Sequence, residues 1–398
     1  MNYKLLTIAL SLLANHILLS QPMFDIEKVD QVETFKNTVT CTTHEQDSRY
    51  FLYSGGDSDV LDAFEINLDG SLIPIESYKT TRTGNATGLR GLVSDVVHGK
   101  NFLFVGLKGE AAIEVYEIKN SGKLKKVFLL NDTDSTYLQR VITLQVIHMT
   151  NASYLYAGGL ETKPGMSAFK ILPDGSLEHI MSMADNENIY TDGIIGMSLH
   201  RIEDKTYLFT GGFQDNGLSS WVVNENGTFE NLSNIGDDYN LFLNGTYPVI
   251  SSTVKGWNHV IVGHRHHSYY KPTSWVKDRF SYYYHGDAIS VFWVNGKGEL
   301  TPRSAFIDNT QTLLQGQTRL HGFEYNENYD LITAATRDDQ SIQLCTINQT
   351  GRLTHAGNLK INIPVYYGLT GKKIGEDIFL FAGSVEGKEL ISYRLKSK

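Results

Sequence analysis

Residues 51–72 read Phe-Leu-Tyr-Ser-Gly-Gly-Asp-Ser-Asp-Val-Leu-Asp-Ala-Phe-Glu-Ile-Asn-Leu-Asp-Gly-Ser-Leu. An apolar strand ends in small residues at Gly55, and a short loop leads to the next strand, which is centred on Phe64. An Asp-Gly turn then precedes a further strand that begins at Leu72. The phrase recurs about seven times at intervals of about 50 residues, and its central aromatic position holds Phe64, Tyr116, Phe169, Trp221, Phe292, Cys345 and Tyr393. A repeat of this length that is built only from strands is typical of a β-propeller.

The repeats predict an all-β, seven-bladed propeller with four antiparallel strands per blade. The chain stops at Lys398, just after the third strand of the last blade, so that blade lacks its outer strand. Residues 24–32 have the same apolar spacing as residues 177–183, which belong to an outer strand. We therefore expect the N-terminal strand to complete the last blade, because closing the ring in this way removes two exposed sheet edges.

Composition favours one exported domain over a nucleic-acid-binding protein. The 398 residues carry a formal net charge of −9 with no long basic run, so attraction to a phosphate backbone is not expected. Residues 1–20 read as a signal peptide, because Lys4 precedes the apolar run from Leu5 to Leu13. That run is too short to span a membrane, and no linker divides residues 21–398. We expect a secreted or periplasmic monomer.

Asparagine and cysteine usage agree with export without requiring a disulfide. Asn-x-Ser/Thr triplets begin at Asn85, Asn131, Asn151, Asn226, Asn231, Asn244 and Asn348. Such triplets are glycan acceptors in a eukaryotic secretory pathway, although an Asn-rich chain also produces them by chance. Cys345 occupies the aromatic position of its repeat, and Cys41 belongs to the first strand of another blade. Both cysteines are therefore predicted to be buried structural thiols.

The strand order places two kinds of loop on the same face of the propeller, and binding is expected there. These are the loops that lead into the inner strands and the loops between second and third strands. Residues 264–286 form an insertion into the second kind of loop in blade five. Its candidate ligand-binding residues are Arg265, Tyr269, Tyr270, Trp275 and Tyr283. The alternative is that its tyrosines only pair across a protruding hairpin.

The same insertion offers a candidate metal site. His264 and His266 would point to one side of an extended strand, and His285 or Asp287 would complete a set of three ligands. The alternative is a solvated loop, and no metal or other cofactor is predicted.

Cations near the starts of the inner strands form a second candidate site. Arg90, Arg140 and Arg319, with Lys36, would make an anion-binding ring if they converge on the channel, and Tyr247 and Tyr366 stand at comparable places. The alternative is that these side chains form salt bridges with neighbouring blades.

An acidic residue follows nearly every second strand. The group comprises Asp57, Glu110, Glu161, Asp215, Asp287, Asp338 and Glu386. A carboxylate at this point accepts backbone N–H groups of the turn, and this interpretation is favoured over a calcium site or a catalytic ring.

The repeat resembles the seven-bladed lactonase-type propellers, which include phosphogluconolactonases and muconate cycloisomerases. It is more similar still to the propeller repeats of exported bacterial hemolysin-type calcium-binding proteins. The resemblance covers residues 24–398 and implies the fold. Active lactonase-type members carry Pro-His and Asp-x-Gly-x-Asp elements that have no clear counterpart here, so the resemblance assigns no catalytic residue.

Two functions follow as hypotheses, and whether the chain is an enzyme stays open. The first is a recognition module that binds a small anionic or carbohydrate-like ligand, or a protein, at the channel mouth. The second is a lactonase-like hydrolase or a lyase, in which arginines hold a carboxylate and His264, His266 or Tyr247 transfers protons.

Overall fold

The computed structural model describes residues 23–81, 88–160, 163–238, 241–265 and 288–398. Within these ranges the chain forms 28 strands and no helix. The strands make seven sheets of four antiparallel strands each, and successive sheets contact one another around a ring. The protein is therefore a seven-bladed β-propeller, as the repeat predicts.

The first four blades follow one another without a break in the pattern. Their strands are β2 (Thr40–Gln46), β3 (Arg49–Gly55), β4 (Val60–Ile66), β5 (Leu72–Lys79), β6 (Leu89–Val97), β7 (Lys100–Leu107), β8 (Ala112–Ile118), β9 (Leu124–Asn131), β10 (Thr143–His148), β11 (Ser153–Gly158), β12 (Gly165–Ile171), β13 (Leu177–Ala184), β14 (Ile194–Ile202), β15 (Lys205–Gly212), β16 (Gly217–Val223) and β17 (Phe229–Gly236). The outer strand of blade one begins at Leu72, as the repeat predicts, and the outer strands of the next three blades begin at Leu124, Leu177 and Phe229.

The last three blades include the join of the two chain ends. Their strands are β18 (Thr246–Val254), β19 (Trp257–His264), β20 (Ala288–Val294), β21 (Leu300–Ile307), β22 (Gln317–Asn326), β23 (Tyr329–Thr336), β24 (Ser341–Asn348), β25 (Leu353–Lys360), β26 (Leu369–Ile374), β27 (Asp377–Gly383), β28 (Glu389–Ser397) and the N-terminal β1 (Phe24–Glu33).

Strand β1 closes the ring. It pairs antiparallel with β28 from Phe24 opposite Ser397 to Glu33 opposite Glu389, so blade seven has the order β26, β27, β28, β1. The Phe24 ring packs edge-on against Tyr325 of blade six at 5.1 Å between centroids. The predicted closure is confirmed, and it leaves β28 without an open edge.

The hydrophobic core lies between neighbouring blades. Second strands such as β3 are buried along most of their length, because each has a blade on either side. Phe51 and Tyr53 of blade one share a buried cluster with Leu103 and Val105 of blade two. Second strands therefore appear in the sequence as nearly continuous apolar runs rather than as alternating patterns.

A glycine in each hairpin between third and outer strands lets the preceding blade approach closely. The Phe51 ring lies against Gly122, whose φ is 76°, and a Cβ on Gly122 would fall 2.5 Å from that ring. The Tyr53 hydroxyl donates a hydrogen bond to the Gly122 carbonyl at 3.0 Å. His259 of blade five lies against Gly351 of blade six in the same way.

Both cysteines are structural, as predicted. Cys41 and Cys345 are free and buried. Each is 1% exposed, and burial raises the pKa of Cys41 to about 12, so the group is a neutral thiol.

Candidate functional site

The strand register assigns the two faces of the propeller. Thr40, at the start of β2, pairs with Gly55 at the end of β3, and the corresponding pairs in the other blades have the same sense. Inner-strand starts and second-strand ends therefore share one face, which we call the loop face. The tight hairpins leave from the opposite side, the hairpin face.

An apolar plug closes the central channel at the loop face. Its buried members come from blades one, three, four, five and seven, and they are Val39, Ile142, Ile195, Tyr247 and Tyr367. The ring of Tyr247 stacks on Tyr367 with 5.1 Å between centroids and an interplanar angle of 10°. Residues from non-adjacent blades meet only near the axis, so a ligand on this face would rest on the plug rather than enter an open pore.

Polar and aromatic side chains of blades five, six and seven gather around this plug. Arg265 and Arg337 contact the Tyr366 ring, and Arg319 lies within electrostatic reach of Tyr367. We call Arg265, Arg319, Arg337, Tyr366 and Tyr367 the arginine–tyrosine cluster. The Arg265 guanidinium lies over the Tyr366 ring at 4.7 Å and over the Tyr247 ring at 5.4 Å. Its Nη2 donates to the Tyr366 hydroxyl at 2.6 Å.

Arg337 and Arg319 complete the cluster from blade six. The Arg337 guanidinium lies over the Tyr366 ring at 5.0 Å. Arg319 is enclosed by protein yet keeps partial solvent contact, as expected of a side chain in a channel wall. Burial lowers its pKa, and Cys41 and Tyr367 lie within electrostatic reach. Among the described residues neither arginine has an ion-pair or hydrogen-bond partner for its guanidinium, and the Arg319 Nε is buried without one.

Tyr367 interacts electrostatically with arginines from three blades. Burial raises its pKa to about 12, and the charges of Arg265 and Arg90 oppose that rise. Tyr367 acts in turn on Arg319. Arginines of blades two, five and six therefore share one electrostatic environment, although their sequence positions are far apart.

The sequence-predicted cations occupy different levels of the ring. One inner-strand position can be compared in all seven blades: it directly precedes the residue that pairs with the glycine or alanine near the end of the second strand. In blades one to seven this position holds Val39, Arg90, Ile142, Ile195, Tyr247, Thr318 and Tyr367. Arg140 stands two residues earlier than this position and Arg319 one residue later. Five of the seven residues at this position form the apolar plug. Arg90, Arg140 and Arg319 stand at three different heights along the inner strands, so they do not form one ring.

Arg90 also joins two blades. Its Nη2 pairs with Asp57 in the loop after β3, and Asn37 donates to the same carboxylate at 3.0 Å. Lys36 donates to the Asp57 backbone carbonyl at 2.9 Å. Arg90 thus makes a salt bridge with the neighbouring blade, as the alternative interpretation expected, whereas Lys36 makes a hydrogen bond within blade one.

The described candidates for proton transfer are buried. His264 is 1% exposed, burial lowers its pKa to about 3, and its Nε2 lies 3.4 Å from the Ser290 hydroxyl. Tyr247 is 2% exposed, and burial raises its pKa well above the usual value. At neutral pH both groups are uncharged and enclosed. The other predicted insertion residues lie outside the described residues, and they are His266, Tyr269, Tyr270, Trp275, Tyr283 and His285.

Acidic residues after the second strands hold loops in place. Asp215 accepts, at 2.6 Å, the backbone N–H of Asp192, which belongs to the loop between β13 and β14 and not to the turn of Asp215, and Asp57 takes the side chains of Arg90 and Asn37. Asp185, Asp192 and Asp215 place carboxylate oxygens within 4.8 Å of one another in blade four. Burial raises the pKa of Asp215 to about 6. This carboxylate group was not predicted from the sequence, because its members come from two loops, the one between β13 and β14 and the one between β15 and β16.

Sequence reasoning missed Arg337 and Tyr367. Arg337 directly follows β23 and stands two residues after Ala335, as Arg265 stands two residues after Gly263 in blade five, and this correspondence was a usable signal. Tyr367 adjoins Tyr366, which the sequence did single out, and a shift of one residue in the alignment hid it. Both contribute side chains to the cluster only after the blades close into a ring.

Comparison with known proteins supports the propeller fold alone. No family model and no curated protein matches this chain. The structure is similar to the crystal structure of Chaetomium thermophilum Raptor, with a TM-score of 0.62 and 7% identity over 95% of this chain and 29% of that one. The chain thus spans less than a third of that protein's length.

A second solved structure is similar along most of both chains. It is a functionally unknown protein from Desulfotomaculum acetoxidans, with a TM-score of 0.55 and 11% identity over 82% of this chain and 87% of that one. At these identities the similarity shows the seven-bladed propeller fold alone. The lactonase-type resemblance stays a prediction. Within the described residues there is no helix that could cross a membrane.

Proposed function

We propose that this chain is an exported recognition propeller that binds a small carboxylate-bearing ligand at the arginine–tyrosine cluster. Acidic sugars are one class of such ligands. The propeller provides the frame, and the loop face of blades five to seven provides the contacts. Export is part of the proposal and rests on Lys4 and the apolar run from Leu5 to Leu13.

The Arg319 guanidinium carries this proposal. It is enclosed beside the plug, and within the described residues no carboxylate neutralises it. A buried charge is costly unless it is paired, so this position favours a ligand that brings negative charge. Arginine suits a carboxylate because its planar fork donates two parallel hydrogen bonds.

Arg337 and Tyr366 supply the second contact surface. Tyr366 is partly exposed and lies beneath two guanidinium groups, so its hydroxyl end and ring edge border the cluster. Aromatic rings give large contact areas to the apolar faces of ring-shaped ligands, while arginines fix the orientation of the acidic group. This combination favours an anion with a ring over a bare inorganic ion.

Binding is favoured over hydrolysis by the state of the proton-transfer candidates. His264 and Tyr247 are both enclosed and uncharged at neutral pH. A general acid or base must come within hydrogen-bond reach of the reacting atoms. His264 is only 1% exposed, and Tyr247, although it stacks on Tyr367, is only 2% exposed. Turnover of a lactone would be the result that favours hydrolysis over binding.

A calorimetric titration with glucuronate, gluconate and citrate tests the proposal, with glucose as the uncharged comparison. We expect an anion to bind the wild type, and Arg319→Gln to weaken that binding by about ten- to a hundredfold, because a charge-assisted hydrogen bond contributes roughly 1.5–3 kcal/mol. Arg394→Gln is the matched control, since Arg394 pairs with Asp377 at 2.7 Å in blade seven. N-terminal sequencing of the released protein checks export.

Equal affinities of wild type and Arg319→Gln for every anion would contradict the proposal, as would tighter binding of glucose than of glucuronate. Turnover of gluconolactone that disappears in Arg319→Gln would replace recognition by the hydrolase hypothesis. A wild type that binds none of these compounds would overturn the small-ligand assignment.

A further inference from the structure

A second polar cavity lies on the hairpin face, at the end of the molecule opposite the arginine–tyrosine cluster. Its volume is ≈ 310 Å³, and it lies between the last halves of the inner strands β14, β18 and β22. Side chains of blades four, five and six line it, among them His200, Ser251, Ser252, Glu324 and Asp330. This volume is at the lower end of the range for small-molecule sites.

Two carboxylates face each other in this cavity. Glu324 on β22 is the direct cross-strand partner of Asp330 on β23, so both side chains lie on one side of the sheet. Like charges at such positions repel and destabilise a strand pair. Among the described residues no Lys, Arg or His forms an ion pair with either carboxylate.

Asp330 is the more enclosed of the two. It is 7% exposed, and it accepts a hydrogen bond from the Ser252 hydroxyl of the preceding blade. Burial raises its pKa, and the charge of Glu324 adds to the rise. The protein thus keeps a carboxyl group in an unfavourable place without supplying a counter-ion, and such local conflicts are expected at functional sites.

The remaining polar groups of the cavity add hydrogen-bond acceptors. His200 Nε2 lies 2.8 Å from the carbonyl oxygen of His259, which only accepts, so Nε2 carries the proton and Nδ1 is an acceptor. Nδ1 lies 3.5 Å from the Thr253 hydroxyl, which donates its proton to Asn258 Oδ1 at 2.8 Å. Burial lowers the pKa of His200 and keeps it neutral. Ser251 Oγ is buried and has no hydrogen-bond partner within the described residues.

We propose that this cavity binds the ammonium group of a small primary amine. An ammonium group has one positive charge and three donors, which match Asp330, Glu324 and one neutral acceptor from His200 or Ser251. A divalent metal fits less well, because the group of metal-ligating side chains that the described residues bring together is the carboxylate set of blade four. The charge preference of this cavity is opposite to that of the arginine–tyrosine cluster.

Thermal melting of the full chain with n-butylamine and putrescine tests the site, with n-butanol and CaCl₂ as comparisons at equal ionic strength. Ligands that bind only the folded state raise the melting temperature in proportion to their saturation. We expect both amines to stabilise the wild type and n-butanol to have no effect. Asp330→Asn and Glu324→Gln are each expected to weaken amine binding about tenfold or more.

Glu327→Gln is the matched control, because Glu327 is exposed in the hairpin between β22 and β23 and does not line the cavity. Glu324→Gln should also melt above the wild type without ligand, because it removes the cross-strand repulsion. Amines that leave the wild type unchanged, or that shift Glu324→Gln and wild type equally, would overturn the site. Stabilisation by CaCl₂ but not by amines would also overturn it, in favour of a divalent cation.

Discussion

Gly122 illustrates how a single residue sets the distance between two blades. Its φ of 76° is unfavourable for residues with a side chain, and the Phe51 ring occupies the space of a Cβ. We expect Gly122→Ala to lower the free energy of unfolding by about 2–4 kcal/mol, the sum of backbone strain and overpacking. Urea denaturation followed by intrinsic fluorescence measures this loss.

Gly256→Ala is the matched control for this prediction. Gly256 also has a φ of 76°, but nothing lies within 4 Å of the position of its Cβ. The control should therefore lose only the backbone part of the effect. Equal losses in the two variants would show that contact with Phe51 does not limit this position.

His259 is a residue whose blade position favours another side chain. The corresponding residues in other blades are Phe51, Phe102, Tyr154, Tyr207, Leu331 and Phe379. His259 is 0% exposed, and within the described residues neither ring nitrogen has a hydrogen-bond partner. We expect His259→Phe to increase the free energy of unfolding by about 1 kcal/mol at pH 7.5, because it removes buried unpaired polar atoms.

The same substitution should change the pH dependence of stability. Burial, with smaller effects from His200 and Arg303, lowers the pKa of His259 to about 4, whereas an unfolded histidine titrates near 6.5. Between these values the unfolded chain binds a proton that the folded state does not, so wild-type stability falls as pH drops from about 6.5 to 4. The advantage of His259→Phe should widen by about 3 kcal/mol over this window. Parallel stability curves from pH 7.5 to 4.5 would contradict it.

At the scale of the element, β1 replaces the outer strand that the C-terminal end of the chain does not supply to blade seven. It supplies the outer strand of blade seven from the opposite end of the chain and buries Phe24 to 4% exposure. We expect Phe24→Ala to cost about 3–5 kcal/mol, and deletion of residues 24–33 to abolish cooperative unfolding, because β28 then becomes an open edge. Calorimetry measures both effects.

Phe35→Ala is the control for the point substitution, since Phe35 is 57% exposed just beyond β1. A truncated chain that melts cooperatively at the wild-type temperature would show that ring closure does not depend on this strand. Equal effects of Phe24→Ala and Phe35→Ala would show that Phe24 does not anchor it.

At the scale of the whole molecule, the two proposed sites lie on opposite faces and differ in charge. The loop face combines an apolar plug with arginines from several blades, whereas the hairpin face presents a cavity with two carboxylates. A formal net charge of −9 for the chain conceals this separation. The two proposed ligands, a carboxylate and an amine, follow from these local fields rather than from the net charge.

The seven blades, their strand starts and the closure by residues 24–32 were predictable from the sequence, because each depends on local periodicity. Turn glycines, the spacing of Phe64 and its counterparts, and apolar runs all act within about 50 residues. The surroundings of Arg319, Tyr367 and Asp330 were not predictable in this way. Their neighbours come from other blades, and a shift of one residue in strand register decides whether a side chain builds the plug or borders it. Only ring closure brings these groups together, because it fixes distances between residues that the chain separates by hundreds of positions.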